Sequence, residues 1–189
     1  MQSDLSPYAP IPRRIFARVI DFGLVWVPLN GLAMIAIIFW RSLPLAIAFL
    51  LLEAAYKPLT EARWGYTLGK KWLKMKVIDR ETGGLMTLNQ SLYRYLPWAI
   101  AVFATVFVYI RYFQDPGFAD VASLDDYVEF ANDHSLSNSF VLSLLTNLTI
   151  FSAVWMFSDP LVRALHDRIA GTVVVNDVEA MEAEKKVGW

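Results

Sequence analysis

Residues 43–58 read LPLAIAFLLLEAAYKP, an apolar run carrying a single carboxylate, Glu53. A bilayer core about 30 Å thick takes roughly 20 apolar helical residues to cross. The run is therefore short for a span, and whether it crosses or lies as a half-span decides the topology. Three further apolar segments, at about 19–40, 95–113 and 138–157, are long enough to cross. With 43–58 counted, the chain crosses four times and both ends share one side of the membrane.

The basic residues favour four crossings, because Lys and Arg are retained on the cytoplasmic side of short loops. Arg13, Arg14 and Arg18 precede the first span. Lys57, Arg63, Lys70, Lys71, Lys74, Lys76, Arg80 and Arg94 fill the 57–94 loop, and Arg163, Arg168, Lys185 and Lys186 follow the fourth span. Fifteen of the 17 cations thus fall inside, leaving Arg41 and Arg111 outside. The 114–137 loop carries Asp115, Asp120, Asp125, Asp126, Glu129 and Asp133 instead. A three-span topology would strand eight cations outside. The fold expected is an all-α membrane protein of four transmembrane helices, with both termini in the cytoplasm.

Composition agrees, since 56% hydrophobic and 19% charged residues are too apolar for a water-solvated surface. Seventeen cations against 18 carboxylates give no reason to propose nucleic acid as a partner. With no cysteine and only His134 and His166, no disulfide, thiolate or histidine-based metal site is expected, and no cofactor. Three arginines before the first run resemble a signal-peptide n-region, but the run is long and no small-residue cleavage site follows, so it reads as a retained span. Residues 1–12, with three prolines, and the charged 177–189 read as tails around a membrane domain at 13–176.

Between the second and third spans, WLKMKVID (72–79) alternates and ETGG (81–84) supplies turn residues, which predicts a short strand or hairpin. GTVVV (171–175) is a second β-branched run, expected to pair with it in a small cytoplasmic sheet. Thr87 with Gln90 has the spacing of a capping box before the third span. Asp159 with Pro160 is suited to N-cap and start a cytoplasmic surface helix, PLVRALHD, closed near Gly171.

Several polar residues sit where polarity is costly. Arg14, Arg18 and Asp21 share one face of the first helix and are expected to neutralise one another. They form either a proton or cation site or a structural lock. Glu53 could load a proton or bond a neighbouring helix. Ser143, Thr146 and Asn147 crowd one side of the fourth span, where helix packing accounts for them. Pro28 with Asn30 and Gly31 predicts a kink. His166 reads as structural, and Asp167 as a salt-bridge candidate for Arg14 and Arg18. GYTLGKK (65–71) lacks the spacing of a phosphate-binding loop. Its glycines read as a turn, with Lys70 and Lys71 meeting anionic headgroups.

Three separated patches, RRIFARVID at 13–21, GYTLGKKWLKMKVID at 65–79 continuing to Arg94, and LHDRIAGTVVV at 165–175, together resemble the RDD family of prokaryotic membrane proteins. The likeness covers roughly 13–176 and implies an inner-membrane location. It places the family's arginine at Arg14, with Arg18 the alternative, and its two aspartates at Asp21 and Asp167. Gly65, Thr67, Gly69, Lys70, Arg94, Gly171 and Thr172 match the accompanying pattern. What the resemblance implies for function is transport of unidentified ligands or cation/proton antiport, with no enzyme activity.

Two functions are therefore expected. One is a small transporter using Asp21 and Glu53, assembled as a homo-oligomer because four helices enclose little volume. The other is a scaffold or accessory subunit whose acidic 114–137 loop docks a protein partner outside. Membrane-embedded hydrolysis lacks a nucleophile and base pair in the sequence.

Overall fold

A computed structural model of the chain describes residues 7–177; of the expected tails, 1–12 and 177–189, residues 1–6 and 178–189, with Lys185 and Lys186, lie outside the described residues. The end of the first is not a tail, since Ala9 is buried and its N–H donates to the Val174 carbonyl at 3.0 Å. Pro12 stands in the first turn of α1 (Ile11–Asp21), where its missing amide costs nothing. A π-helical segment, Phe22–Trp26, carries the chain into α2 (Val27–Ile38). A kink is expected at Pro28, and what the structure has there is this π segment. The Pro28 ring would press on the carbonyl of residue 24 in a regular helix, and the wider π turn relieves it. Asn30 Nδ2 donates to the Trp26 carbonyl at 3.0 Å.

The second apolar segment does not end near Pro58 as expected. Helix α3 runs over Leu43–Trp64, 22 residues, which is long enough to cross. The third is also longer than expected: α5 spans Leu88–Gln114, 27 residues. Its start carries the Thr87 and Gln90 capping box, with Thr87 N–H donating to Gln90 Oε1 at 2.8 Å and Gln90 N–H to Thr87 Oγ1 at 3.2 Å. The 57–94 stretch is therefore not a loop but the ends of two long helices around a folded connection that holds a short helix and a strand.

The fourth segment is broken. Helices α7 (Phe140–Thr146) and α8 (Leu148–Val154), the latter extended by a 3₁₀ turn to Phe157, meet at a 55° bend. Thr146 Oγ1 donates to the Leu142 carbonyl at 2.9 Å and Asn147 Nδ2 to the Ser143 carbonyl at 2.8 Å. These groups bond back onto their own turn, which loosens a helix, where packing between helices was expected. The described residues thus hold three helices long and apolar enough to span a membrane, or four when the bent pair counts as one.

The described residues divide into two compact units: 7–24, 56–96 and 151–177 form one, and 25–55 and 97–150 the other. In the first, α4 (Leu68–Trp72) follows the Gly65 turn, and β1 (Met75–Asp79) pairs antiparallel with β2 (Thr172–Asn176), Val77 opposite Val174. The expected small sheet is present. Its buried face, Met75, Val77 and Val174, packs with Ala9, Ala17 and Met86.

The expected surface helix from Pro160 is not formed. Residues 158–161 turn, Val162 takes φ +53°, and the helix, α9, covers only Leu165–Ile169. Asp159 caps that turn rather than a helix, Oδ1 accepting from Leu161 N–H at 2.8 Å while Arg163 Nη2 donates to Oδ2 at 3.0 Å.

In the second unit, Ala33, Ala36, Ile37, Leu50, Tyr109 and Tyr112 form the core. The 114–137 stretch is folded. A 3₁₀ turn, Pro116–Asp120, leads to α6 (Leu124–Asp133), whose Ser123 and Asp126 exchange a capping box at 3.1 and 2.9 Å. Tyr112 packs against Phe130 and His134 with ring centroids 5.2 and 4.9 Å apart.

Candidate functional site: a buried charge network

Arg14, Ala17 and Asp21 are buried at spacings of three and four on α1, one stripe of a helix. Ala17 is the small residue between two charges, and there α4 comes closest. A Cβ on Gly69 would lie 2.1 Å from the Ala17 carbonyl oxygen, so only glycine allows this approach.

The approach delivers the first amides of α4 to foreign acceptors. Asp21 Oδ1 accepts from Gly69 N–H at 2.8 Å and Oδ2 from Thr67 Oγ1 at 2.6 Å. Tyr56 Oη accepts from Leu68 N–H at 2.8 Å and donates to Asp21 Oδ1 at 3.1 Å. Asp21 thus caps α4 in place of the helix's own Thr67. Arg14 and Asp21 do not neutralise each other as expected; the two ends of one stripe serve different partners.

Arg14 turns to the strand and to α9. Its Nη1 meets Asp167 Oδ2 at 3.2 Å, its Nε donates to the Ala9 carbonyl at 3.0 Å and its Nη2 to the Val174 carbonyl at 3.2 Å. Asp167 also accepts from Ala164 N–H at 3.1 Å, and its Oδ1 lies 2.5 Å from Arg94 Nη1. Arg94, 1% exposed, continues to Thr172 Oγ1 at 2.7 Å and to Glu61 Oε2 at 3.2 Å. Glu61, wholly buried, ends the series by pairing with Lys70.

Arg14, Arg94 and Lys70 thus face Asp21, Glu61 and Asp167, with Lys57 a further cation close enough to act on Glu61. The network joins α1, α3, α4, α5, α9 and β2. Buried ion pairs of this kind are costly to desolvate, and their mutual attraction offsets that cost only where the geometry is good and further hydrogen bonds support it. Burial by itself would push the Asp167 carboxyl up, but Arg94, His166 and Arg14 beside it and the Ala164 amide hold it down at about 2.

His166 is pushed down to about 3 by burial and is neutral near pH 7. Ser152 Oγ accepts from the His166 backbone N–H at 3.2 Å and lies within hydrogen-bond distance of Nδ1, at 2.7 Å. Nε2 lies 3.4 Å from Asp167 Oδ1. The order serine, histidine, aspartate is that of a nucleophilic triad. Here, however, the serine is 2% exposed and its oxygen is engaged by an amide, which makes it a strut.

Of the charges singled out from sequence, Arg14, Asp21 and Asp167 meet in this unit. Arg18 is exposed on α1, and Glu53 is half-buried in the part of α3 that belongs to the other unit. Lys70, expected at headgroups, turns inward to Glu61 instead. Gly65 (φ +78°) and Gly171 (φ +66°) shape turns on either side of the sheet. Sequence reasoning missed Glu61, because it placed the helix end before it. The signal was available: Glu61 lies eight residues after Glu53, near a helical repeat.

Among the described residues no group of three or more His, Asp or Glu is placed to hold a metal ion. A family model described as the RDD family matches residues 8–171. No curated protein and no solved structure matches the chain.

Proposed function

The chain belongs to the RDD family, and on that premise we propose that it is a non-catalytic scaffold or accessory subunit of the prokaryotic inner membrane, its charge network acting as a structural clasp. Both termini lie in the cytoplasm on this reading, following the Lys and Arg bias. The observation that carries it is the occupancy of the three network carboxylates. Asp167 is held by two arginines, Glu61 by Arg94 and Lys70, and Asp21 by three donors. A group that loads and releases a coupling ion must give up its partners each cycle, and here that would unfasten several elements at once.

The docking element is the folded 114–137 segment. Asp115, Asp120, Asp126, Glu129 and Asp133 border an open concavity of about 420 Å³ beside Phe130 and His134. A capped helix on an aromatic core supports a binding role better than a bare connector would. The occupant is a protein partner on the outer side, and a homo-oligomer is compatible with it.

A second reading, cation/proton antiport, rests on Asp21, whose hydroxyl, phenol and amide donors are uncharged. Proton flux in proteoliposomes under Na⁺, K⁺ and Li⁺ gradients separates the two. The clasp reading expects no flux from folded wild type. Cation-dependent flux that disappears in folded Asp21→Asn or Glu53→Gln would sink it in favour of transport.

A further inference from the structure

Helix α4 has two faces with different chemistry. Gly69 abuts α1 and Lys70 turns into the network. Leu68, Lys71 and Trp72, at helical spacings of three and four, point outward, with Trp72 70% and Leu68 50% exposed. The end of α3 adds to this face. Trp64 is 49% exposed, and the Arg63 guanidinium sits 5.8 Å from its ring centroid. Lys71 Nζ stands 5.8 Å from the Tyr66 ring. Trp64 closes an apolar helix long enough to cross a membrane, so the patch lies where a span meets water.

Exposed Trp and Leu and a half-buried Tyr interleaved with cations are unfavourable in water but match the boundary of a bilayer. Aromatic rings settle at headgroup level there, and basic side chains reach phosphates. We propose that the outer face of α4 with the end of α3 is a binding site for anionic phospholipid headgroups, with Trp64, Leu68 and Trp72 in the interface and Arg63 and Lys71 on the lipid phosphate. Charge complementarity favours this occupant over a second copy of the same face, which would set Arg63 and Lys71 against themselves. The inference depends on the spans and stands whether or not the scaffold reading does.

The chain has no cysteine, so Leu68→Cys provides a unique attachment point for a bimane fluorophore. Full-length protein carrying it is reconstituted in phosphatidylcholine–phosphatidylglycerol vesicles in which one lipid at a time is brominated. Bromolipid quenching is expected to be several-fold stronger from phosphatidylglycerol, since each cation near an anionic surface strengthens association about five-fold. Arg63→Gln with Lys71→Gln should bring the two quenching efficiencies together, while Arg80→Gln, on the exposed turn, should leave the preference intact. If the double variant does not fold, each single variant is expected to lose part of the preference. Equal quenching by both lipids overturns the proposal, and so does a preference unchanged in the glutamine variants. Quenching by neither lipid also overturns it, since water or another protein would then cover the face.

Discussion

Asp167 is the residue on which the network turns, because it faces both buried arginines. Asp167→Asn keeps the shape and removes the charge, leaving Arg14 and Arg94 short of an anion in a dry setting. Breaking a buried pair in this way typically costs about 3–5 kcal/mol. The expected outcome is a large drop in the thermal unfolding midpoint in detergent, and a midpoint within a degree of wild type would refute the clasp. Gly69 is constrained by geometry. Gly69→Ala places a methyl against the Ala17 carbonyl, separates α4 from α1 and withdraws an amide from Asp21. Overpacking of this kind costs about 1–3 kcal/mol. Thermal melting checks it, with Gly84→Ala, whose added methyl meets only a side-chain oxygen at 3.6 Å, as the tolerated control.

Helices and turns show how single side chains hold elements in place. In the second unit, Arg41 Nη1 donates to the Phe118 carbonyl at 2.7 Å and Nη2 to Ala119 at 3.0 Å and to Val121, with its guanidinium 5.5 Å from the Phe118 ring. One side chain thereby satisfies the carbonyls of the 3₁₀ turn that starts the acidic segment. Arg41→Ala should speed amide hydrogen exchange across 116–122 by roughly ten- to hundred-fold, given about 1.5–3 kcal/mol for hydrogen bonds to a charged group. Unchanged exchange there would show that the turn stands on its aromatic packing alone. The π segment before Pro28 and the bend at Asn147 belong to this scale too, the first set by a proline ring and the second by the Thr146 and Asn147 side chains bonding to their own turn.

At the scale of the whole molecule, the buried titratable groups set a pH dependence. Asp167 is held near 2 and His166 near 3, both below their unfolded values. In each case the unfolded chain binds the proton more readily, so the stability they contribute is complete above the unfolded pKa and falls as pH drops. His166 acts first, from about pH 6.5 downward, and Asp167 adds below about pH 4, its own share being on the order of 2–3 kcal/mol. Detergent melts between pH 8 and 3.5 should therefore be flat down to about pH 6.5 and then decline. In His166→Asn the upper part of that decline should vanish, and a decline that persists unchanged there would assign it to other groups.

Hydropathy and charge were sufficient for much of this protein, because a bilayer imposes length and polarity on any segment that crosses it. They located the apolar segments, and β-branched alternation located both strands of the sheet. The Arg14 to Asp167 pairing was also legible, since two opposite charges had few other ways to be buried. The partners of Asp21 and Lys70 and the whole role of Glu61 were not. The Asp21 to Gly69 bond joins residues 48 apart and depends on a backbone approach of α4 to α1. Helical spacing reports only neighbours three and four residues away. Helix ends were misjudged at Pro58 and Pro160 for a related reason. Proline marks a local preference for a break, whereas α3 runs on to Trp64 and buries Glu61 between Lys70 and Arg94, and after Pro160 the Asp159 carboxylate gathers the amides of Leu161 and Arg163 into a turn. The sequence by itself determined which segments are apolar enough to cross a membrane and which charges need partners. Only the tertiary structure decided which charge meets which, because pairing depends on contacts between residues far apart in the chain.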